Sequence, residues 1–189
     1  MDKTVVKEKK TRCIPTKKLV YTAMMTAIMA VLSQVAFPLP SGVPLTLQTF
    51  AVSLCGYFGG IWGVVAVVIY LALGAVGVPV FANFKGGFAA IAGVTGGFLV
   101  GFIFLALTCA IKLKFKNEIL NSVLRILLGC VGVLICHLLG ILWYAYQSGN
   151  GYVASFLTVS APYLLKDFVS VVLAYIFTAL LNKRTKLAL

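Results

Sequence analysis

Six apolar segments, at roughly 19–37, 45–58, 61–76, 89–111, 124–147 and 156–181, occupy most of this chain of 189 residues. A helix needs about 20 apolar residues to cross the hydrocarbon core of a bilayer, so the second and third segments are short for the task. With 61% of its residues hydrophobic and 11% charged, the chain cannot cover itself with a wetted surface as a soluble domain at about 25% charge does. Its solvent is lipid, and the segments predict an all-α integral membrane protein with six transmembrane helices.

The charges orient that bundle. The formal net charge is +12, but seven of the sixteen cations (Lys3, Lys7, Lys9, Lys10, Arg12, Lys17 and Lys18) precede the first apolar segment. Lys112, Lys114, Lys116 and Arg125 surround one loop, and Lys183, Arg184 and Lys186 close the chain. Basic clusters confined to membrane flanks meet anionic headgroups; they form no continuous groove for a nucleic acid. Six crossings from a cytoplasmic N-terminus put the 112–123 loop and the C-terminus inside too, as the positive-inside rule requires. The connections at 38–44, 77–88 and 148–155 then face outward, with Lys85 as their only cation. The expected organisation is a basic cytoplasmic tail (1–18), one membrane domain (19–182) and a second basic tail (183–189). The run Leu19–Phe37 is as long as a span and shows no small-x-small cleavage motif before Pro38, so it reads as a retained first span, not a signal peptide.

Two outer connections, Pro38–Pro44 and Gly77–Asn83, each contain Gly-Val-Pro and are apolar. They suit either a lid folded inward or a rigid turn among headgroups. Gly93, Gly97 and Gly101 fall at i, i+4 and i+8, a stripe opening the fourth span; Ala23 and Ala27, with Ala30 near the same face, form a small-xxx-small pair on the first. Such stripes serve packing within the chain or docking of another membrane subunit. Trp143, Tyr144 and Tyr146 end the fifth span as an interfacial aromatic belt would.

Several chemistries are excluded. There is no GxxxxGK[ST] phosphate loop, no GxSxG and no HExxH. The five cysteines show no CxxC spacing, and four lie in apolar segments as small hydrophobes, which disfavours disulfides and zinc. His137, the sole histidine, reads as an interhelical hydrogen-bonder sooner than a metal ligand or base. The chain is therefore expected not to be an enzyme, and to carry no metal and no cofactor. It also lacks the row of buried ionisable groups of an ion-driven carrier, so a binder of this kind borrows its energy source.

One pair of residues points to binding. Asp167 is the only carboxylate after Glu118, and Lys166 beside it is the only other charge between Arg125 and Lys183. A charge inside a bilayer costs roughly 2.5–3.5 kcal/mol even on forgiving scales, so such residues face a protected interior and hold a ligand or one another. The plainer alternative has Lys166 snorkelling outward and Asp167 accepting from a neighbouring helix. Pro162 suits the first turn of the last helix with Ser160 near its N-cap, after an extended Ser155–Ala161 stretch. Tyr163, four residues before Asp167, shares its face. Gln48 and Asn83, next to the outer connections, add amides that donate or accept. The expected site is an outward-facing pocket capped by the outer loops.

The run Val43-Pro44-Leu45-Thr46-Leu47-Gln48-Thr49-Phe50-Ala51-Val52-Ser53-Leu54-Cys55-Gly56 closely resembles the VPxTLQTxxVxLxG signature of the BioY family, the biotin-specific substrate-binding (S) components of energy-coupling factor (ECF) transporters. Tyr70–Phe81 and Gly93–Phe102 agree with further family motifs, the second similar to GPTGGYLxGF. The resemblance covers nearly everything after residue 18. It implies a six-helix bundle in a bacterial plasma membrane, closed over biotin by the outer loops. Two ATPases acting through a transmembrane coupling subunit would energise it, and Ala23 and Ala27 resemble the alanine motif that meets that subunit. Asp167 would accept from the ureido N–H groups, with Lys166, Asn83, Gln48 and Tyr163 for the remaining polar contacts. Phe81, Phe84 or Trp143 would pack against the ring and valeryl chain. The chain departs from the family's PFLPGDLLK, which stands here as Pro162–Ser170: the downstream lysine is Ser170, and a lysine appears at 166, on a different helical face. An S component for another vitamin and a small intramembrane enzyme are the rival readings.

Overall fold

The two longest helices turn leucines and valines outward along their length, the reverse of a soluble protein. The computed structural model describes residues 15–113 and 115–185, so the basic tails expected at 1–18 and 183–189 lie largely outside the described residues. Those residues form α1 (Thr16–Ser33), α2 (Gln48–Gly59), α3 (Ile61–Val76), α4 (Phe88–Ala92), α5 (Gly96–Ala110), α6 (Glu118–Ser148), α7 (Tyr152–Val159) and α8 (Ala161–Thr185). Two short strands, β1 (Ala36–Phe37) and β2 (Leu45–Thr46), pair antiparallel with Ala36 opposite Thr46. On α6, Leu127, Val131, Leu134, Leu138 and Leu142 are exposed, while Cys136, His137 and Tyr144 are buried. On α8, Leu165, Val169, Leu173 and Leu180 are exposed, while Asp167, Ser170 and Thr178 are buried. Only an apolar solvent rewards that arrangement. By length and composition, α6 and the Ala161–Arg184 part of α8 are each able to cross a membrane.

The helices end where the backbone can turn. Gly77 closes α3 and Gly149 closes α6, both in the left-handed region (φ 112° and φ 70°) that costs a side-chain-bearing residue steric strain. Gly60, at φ 55° and ψ −130°, lets α3 start almost where α2 stops. Asn117 caps α6, its side chain accepting from the backbone N–H groups of Ile119 and Leu120. The core between α1, α2, α3, α5, α6 and α8 is built on Met29, Val52, Tyr57, Tyr70, Leu105 and Val171, among others.

The structure corrects three sequence expectations. The 89–111 segment is not one helix: α4 and α5 are separated at Gly93, whose ψ of −174° is extended. The carbonyls freed there are taken up by α6, with Trp143 Nε1 donating to Gly93 O at 2.9 Å and Gln147 Nε2 donating to Ala92 O. The glycine stripe therefore reduces to Gly97 and Gly101, and it faces α6 within the chain. A methyl group at Gly97 would meet the Leu139 carbonyl, and one at Gly101 would meet Cys136. Lastly, the Ser155–Ala161 stretch is not extended but belongs mostly to α7. No glycine or proline interrupts 152–161, and a helix satisfies its backbone internally; Pro162, with no N–H to offer Thr158, stops it.

The two Gly-Val-Pro connections fold inward. Residues 38–44 form the tip of the β1–β2 hairpin, with Val43 buried; Tyr163 Oη donates to the Val43 carbonyl and Tyr144 Oη to the Ser41 carbonyl. The second connection is anchored at one atom. The Val80 carbonyl accepts from Ser33 Oγ (2.5 Å), Tyr70 Oη (3.0 Å) and Gln34 Nε2 (3.3 Å). This pins Phe81 edge-to-face on Tyr70, over Gly74, where any larger residue would strike the ring.

Candidate ligand-binding site

Between α2, α5, α6 and α8, under the two folded connections, lies a cavity with about 820 Å³ of empty space, open solvent at its mouth included. Its wall is apolar on the α5–α6 side, where Phe98, Leu99, Phe102 and Val133 face it. Its polar groups are Thr46, Gln48, Thr49, Thr95, His137, Tyr163, Lys166, Asp167 and, on the second connection, Lys85.

Asp167 is the centre of the polar side. It is 7% exposed and comes from the second turn of α8, the start of which suits Pro162 because the first-turn N–H groups have no helical partner. Its Oδ2 lies 3.0 Å from His137 Nε2 on α6. Its Oδ1, also buried, is 2.5 Å from Lys166 Nζ, an ion pair without the alignment of a hydrogen bond. Lys166 does not snorkel outward. It reaches back from its own face of α8 and donates to the Thr46 carbonyl of β2 at 2.7 Å, tying ion pair and hairpin together. The plainer sequence alternative is half present: Asp167 does accept from a neighbouring helix, but Lys166 turns inward.

The remaining expected residues divide. Gln48 lines the cavity with its amide engaged at both ends: Nε2 donates to Tyr70 Oη at 2.7 Å, and Oε1 accepts from Thr46 Oγ1 at 3.1 Å. Tyr163 lines it too, and Phe81 contributes an apolar wall. Asn83 is not brought to the cavity. It sits exposed in a short turn (Ala82–Phe84) at φ 58°, a left-handed conformation asparagine tolerates better than most residues. Phe84 is exposed as well. Trp143 lies off the cavity because its indole is spent on the Gly93 carbonyl. Ala23 and Ala27 are exposed on α1 and line a second, shallow apolar groove against Ile69 and Leu73 of α3.

Sequence reasoning assigned no site role to Lys85, Thr49 or His137. Lys85 was legible as the lone outer cation, and His137 as the one histidine on an apolar span. Thr49 offered no signal beyond adjoining Gln48.

Helices with apolar outer faces around a polar-sided internal cavity define an integral membrane protein equipped to enclose a small molecule. The model of the BioY family matches residues 4–187. The chain is 33% identical to the biotin transporter BioY of Thermotoga maritima, over 88% of this chain and 96% of that one. It is 32% identical to a probable biotin transporter BioY of Pyrococcus horikoshii, over 89% and 98% of the two chains. The crystal structure of an S component for biotin from an ECF-type ABC transporter superposes with a TM-score of 0.77 at 26% identity, over 89% of this chain and 92% of that one. The chain belongs to the BioY family.

Proposed function

We propose that this protein is the high-affinity biotin-binding S component of an ECF-type vitamin transporter. The observation that carries the reading is Asp167 itself: a buried carboxylate that lines the cavity, with His137 on Oδ2 and Lys166 beside Oδ1, of a chemistry suited to a cyclic urea N–H. The Lys166 ammonium beside it can donate to the ureido carbonyl, and Phe81 and Phe98 can hold the bicyclic ring. Six spans with both ends cytoplasmic, in a bacterial plasma membrane, put the cavity mouth outside, where the vitamin is met. Energy comes from two ATPases through a coupling subunit, which the groove at Ala23 and Ala27 is shaped to receive, small residues allowing close helix approach. No cofactor or metal is required.

The enzyme reading has one superficial support. Ser160, His137 and Asp167 form a hydrogen-bonded series like that of an acyl-transfer triad. Ser160 is 0% exposed and does not line the cavity, so its hydroxyl cannot reach a substrate carbonyl. Transport without chemistry is the better account.

The deciding experiment is a biotin titration of the purified protein in detergent, with thiamine and riboflavin as competitors. Saturable biotin binding that neither competitor displaces is expected; displacement by either would reassign the vitamin. A second expectation concerns Lys85. Lys166 and Asp167 neutralise each other, which leaves Lys85 as the cavity's uncompensated charge, suited to the carboxylate of the valeryl chain. Lys85→Gln should weaken biotin binding about two- to fivefold, as for a partly exposed ion pair, and leave the neutral methyl ester of biotin unaffected. Equal loss for both ligands would remove Lys85 from that role.

A further inference from the structure

His137 is buried at 4% exposure and uses both ring nitrogens. Nδ1 lies 2.8 Å from Ser160 Oγ at the α7–α8 junction, and Nε2 lies 3.0 Å from Asp167 Oδ2. Phe98 stands edge-to-face against the imidazole, 5.7 Å between centroids at 86°. Rotation of the ring by 180° would place carbon where each nitrogen now sits, so the two bonds hold one orientation. An ionised carboxylate only accepts, so Nε2 carries the proton. In a neutral ring Nδ1 then accepts, and Ser160 donates to it. Protons therefore point in one direction along the series, from Ser160 through His137 to Asp167.

We infer that His137, oriented by Ser160, is a positioning residue that sets which oxygen of Asp167 meets the ligand; the inference rests on the biotin reading above. The carboxyl torsion of an aspartate is soft and roughly two-fold. Lys166, 2.5 Å from Oδ1, would draw both oxygens toward itself if nothing opposed it. The Nε2–H bond opposes it, holding Oδ2 on α6 while Oδ1 stays beside Lys166. The site is thereby ordered before the ligand arrives, and pre-ordering shows as affinity. A residue that merely fills space between α6 and α8 would do none of this.

Two measurements separate the roles. Because His137 is the chain's only histidine, [15N]histidine labelling of protein carrying a tag without histidine reports one imidazole. The free protein should show a protonated Nε2 and an unprotonated Nδ1, and biotin should shift Nε2 as Asp167 engages the ureido group. A protonated Nδ1 with a bare Nε2, or resonances unmoved at saturation, would overturn the inference. In titrations, His137→Leu should bind biotin roughly tenfold or more weakly, since a buried acceptor loses its donor. His137→Gln, whose amide N–H can reach the same oxygen, should recover to within about threefold of wild type. Full binding by His137→Leu, or equal loss in both variants with the fold intact, overturns the positioning role. If His137→Leu does not fold, Ser160→Ala takes its place: several-fold weaker binding with a mixed tautomer supports the inference, and wild-type behaviour overturns it. A wild type that ignores biotin while the Nε2–H tautomer stands would instead refute the functional reading.

Discussion

Asp167→Asn is expected to weaken biotin binding by about 2–5 kcal/mol, the largest loss of any single substitution at the site. The variant keeps the size of the side chain and changes what it can offer. The amide presents one acceptor where there were two, and its NH2 group confronts either the His137 N–H or the ligand's own donors. At the same time Lys166 keeps its charge with no carboxylate 2.5 Å away, so a partly buried cation is left to the Thr46 carbonyl alone. Both effects act at the ligand's end of the cavity, so they should appear in affinity before stability. Isothermal titration of wild type and variant checks this, and a dissociation constant within about threefold of wild type would take Asp167 out of the ligand contact.

Gly97→Val should be the most damaging change to the fold, destabilising it by about 3 kcal/mol or more. The new side chain would enter the Leu139 carbonyl and the Cβ of Trp143, atoms of a helix backbone and its root that cannot rotate away. Relief requires α5 and α6 to part, and both carry the apolar wall of the cavity. The thermal unfolding midpoint in detergent reads the effect. A midpoint within about 2 °C of wild type would mean that the interface has slack the packed geometry does not suggest.

Much of this was legible in the residues. The apolar segments are helical because lipid leaves the backbone no other partner, and hydropathy reads that requirement directly. Asp167 and Lys166 stood out for the same reason: a charge is conspicuous where its surroundings are apolar. What escaped depended on contacts distant in sequence. The break at Gly93 is sustained by Trp143 and Gln147, some fifty residues on, and no local pattern announces them. Hydropathy averages apolar residues without asking whether one helix or two carries them, so α7 passed as an extended lead-in to α8. His137 read as an interhelical hydrogen-bonder and is one, between α6 and α8; that its partner is Asp167 requires the fold. Asn83 was read from its place beside an outer loop and Trp143 from the family resemblance; the backbone turns the first outward, and the indole of the second donates to a carbonyl.

The two sides of the cavity mouth are held very differently. The Val80 side is a fixed post: side chains from α1, from Gln34 just after it and from α3 converge on one carbonyl, and a ring is wedged behind it. The β1–β2 side is a ribbon two residues deep, fastened by two tyrosine hydroxyls and one ammonium. Of these fasteners, Tyr163 and Lys166 line the cavity, whereas Ser33, Gln34 and Tyr70 of the post do not. An occupant that drew either side chain inward would therefore act on the ribbon and leave the post in place.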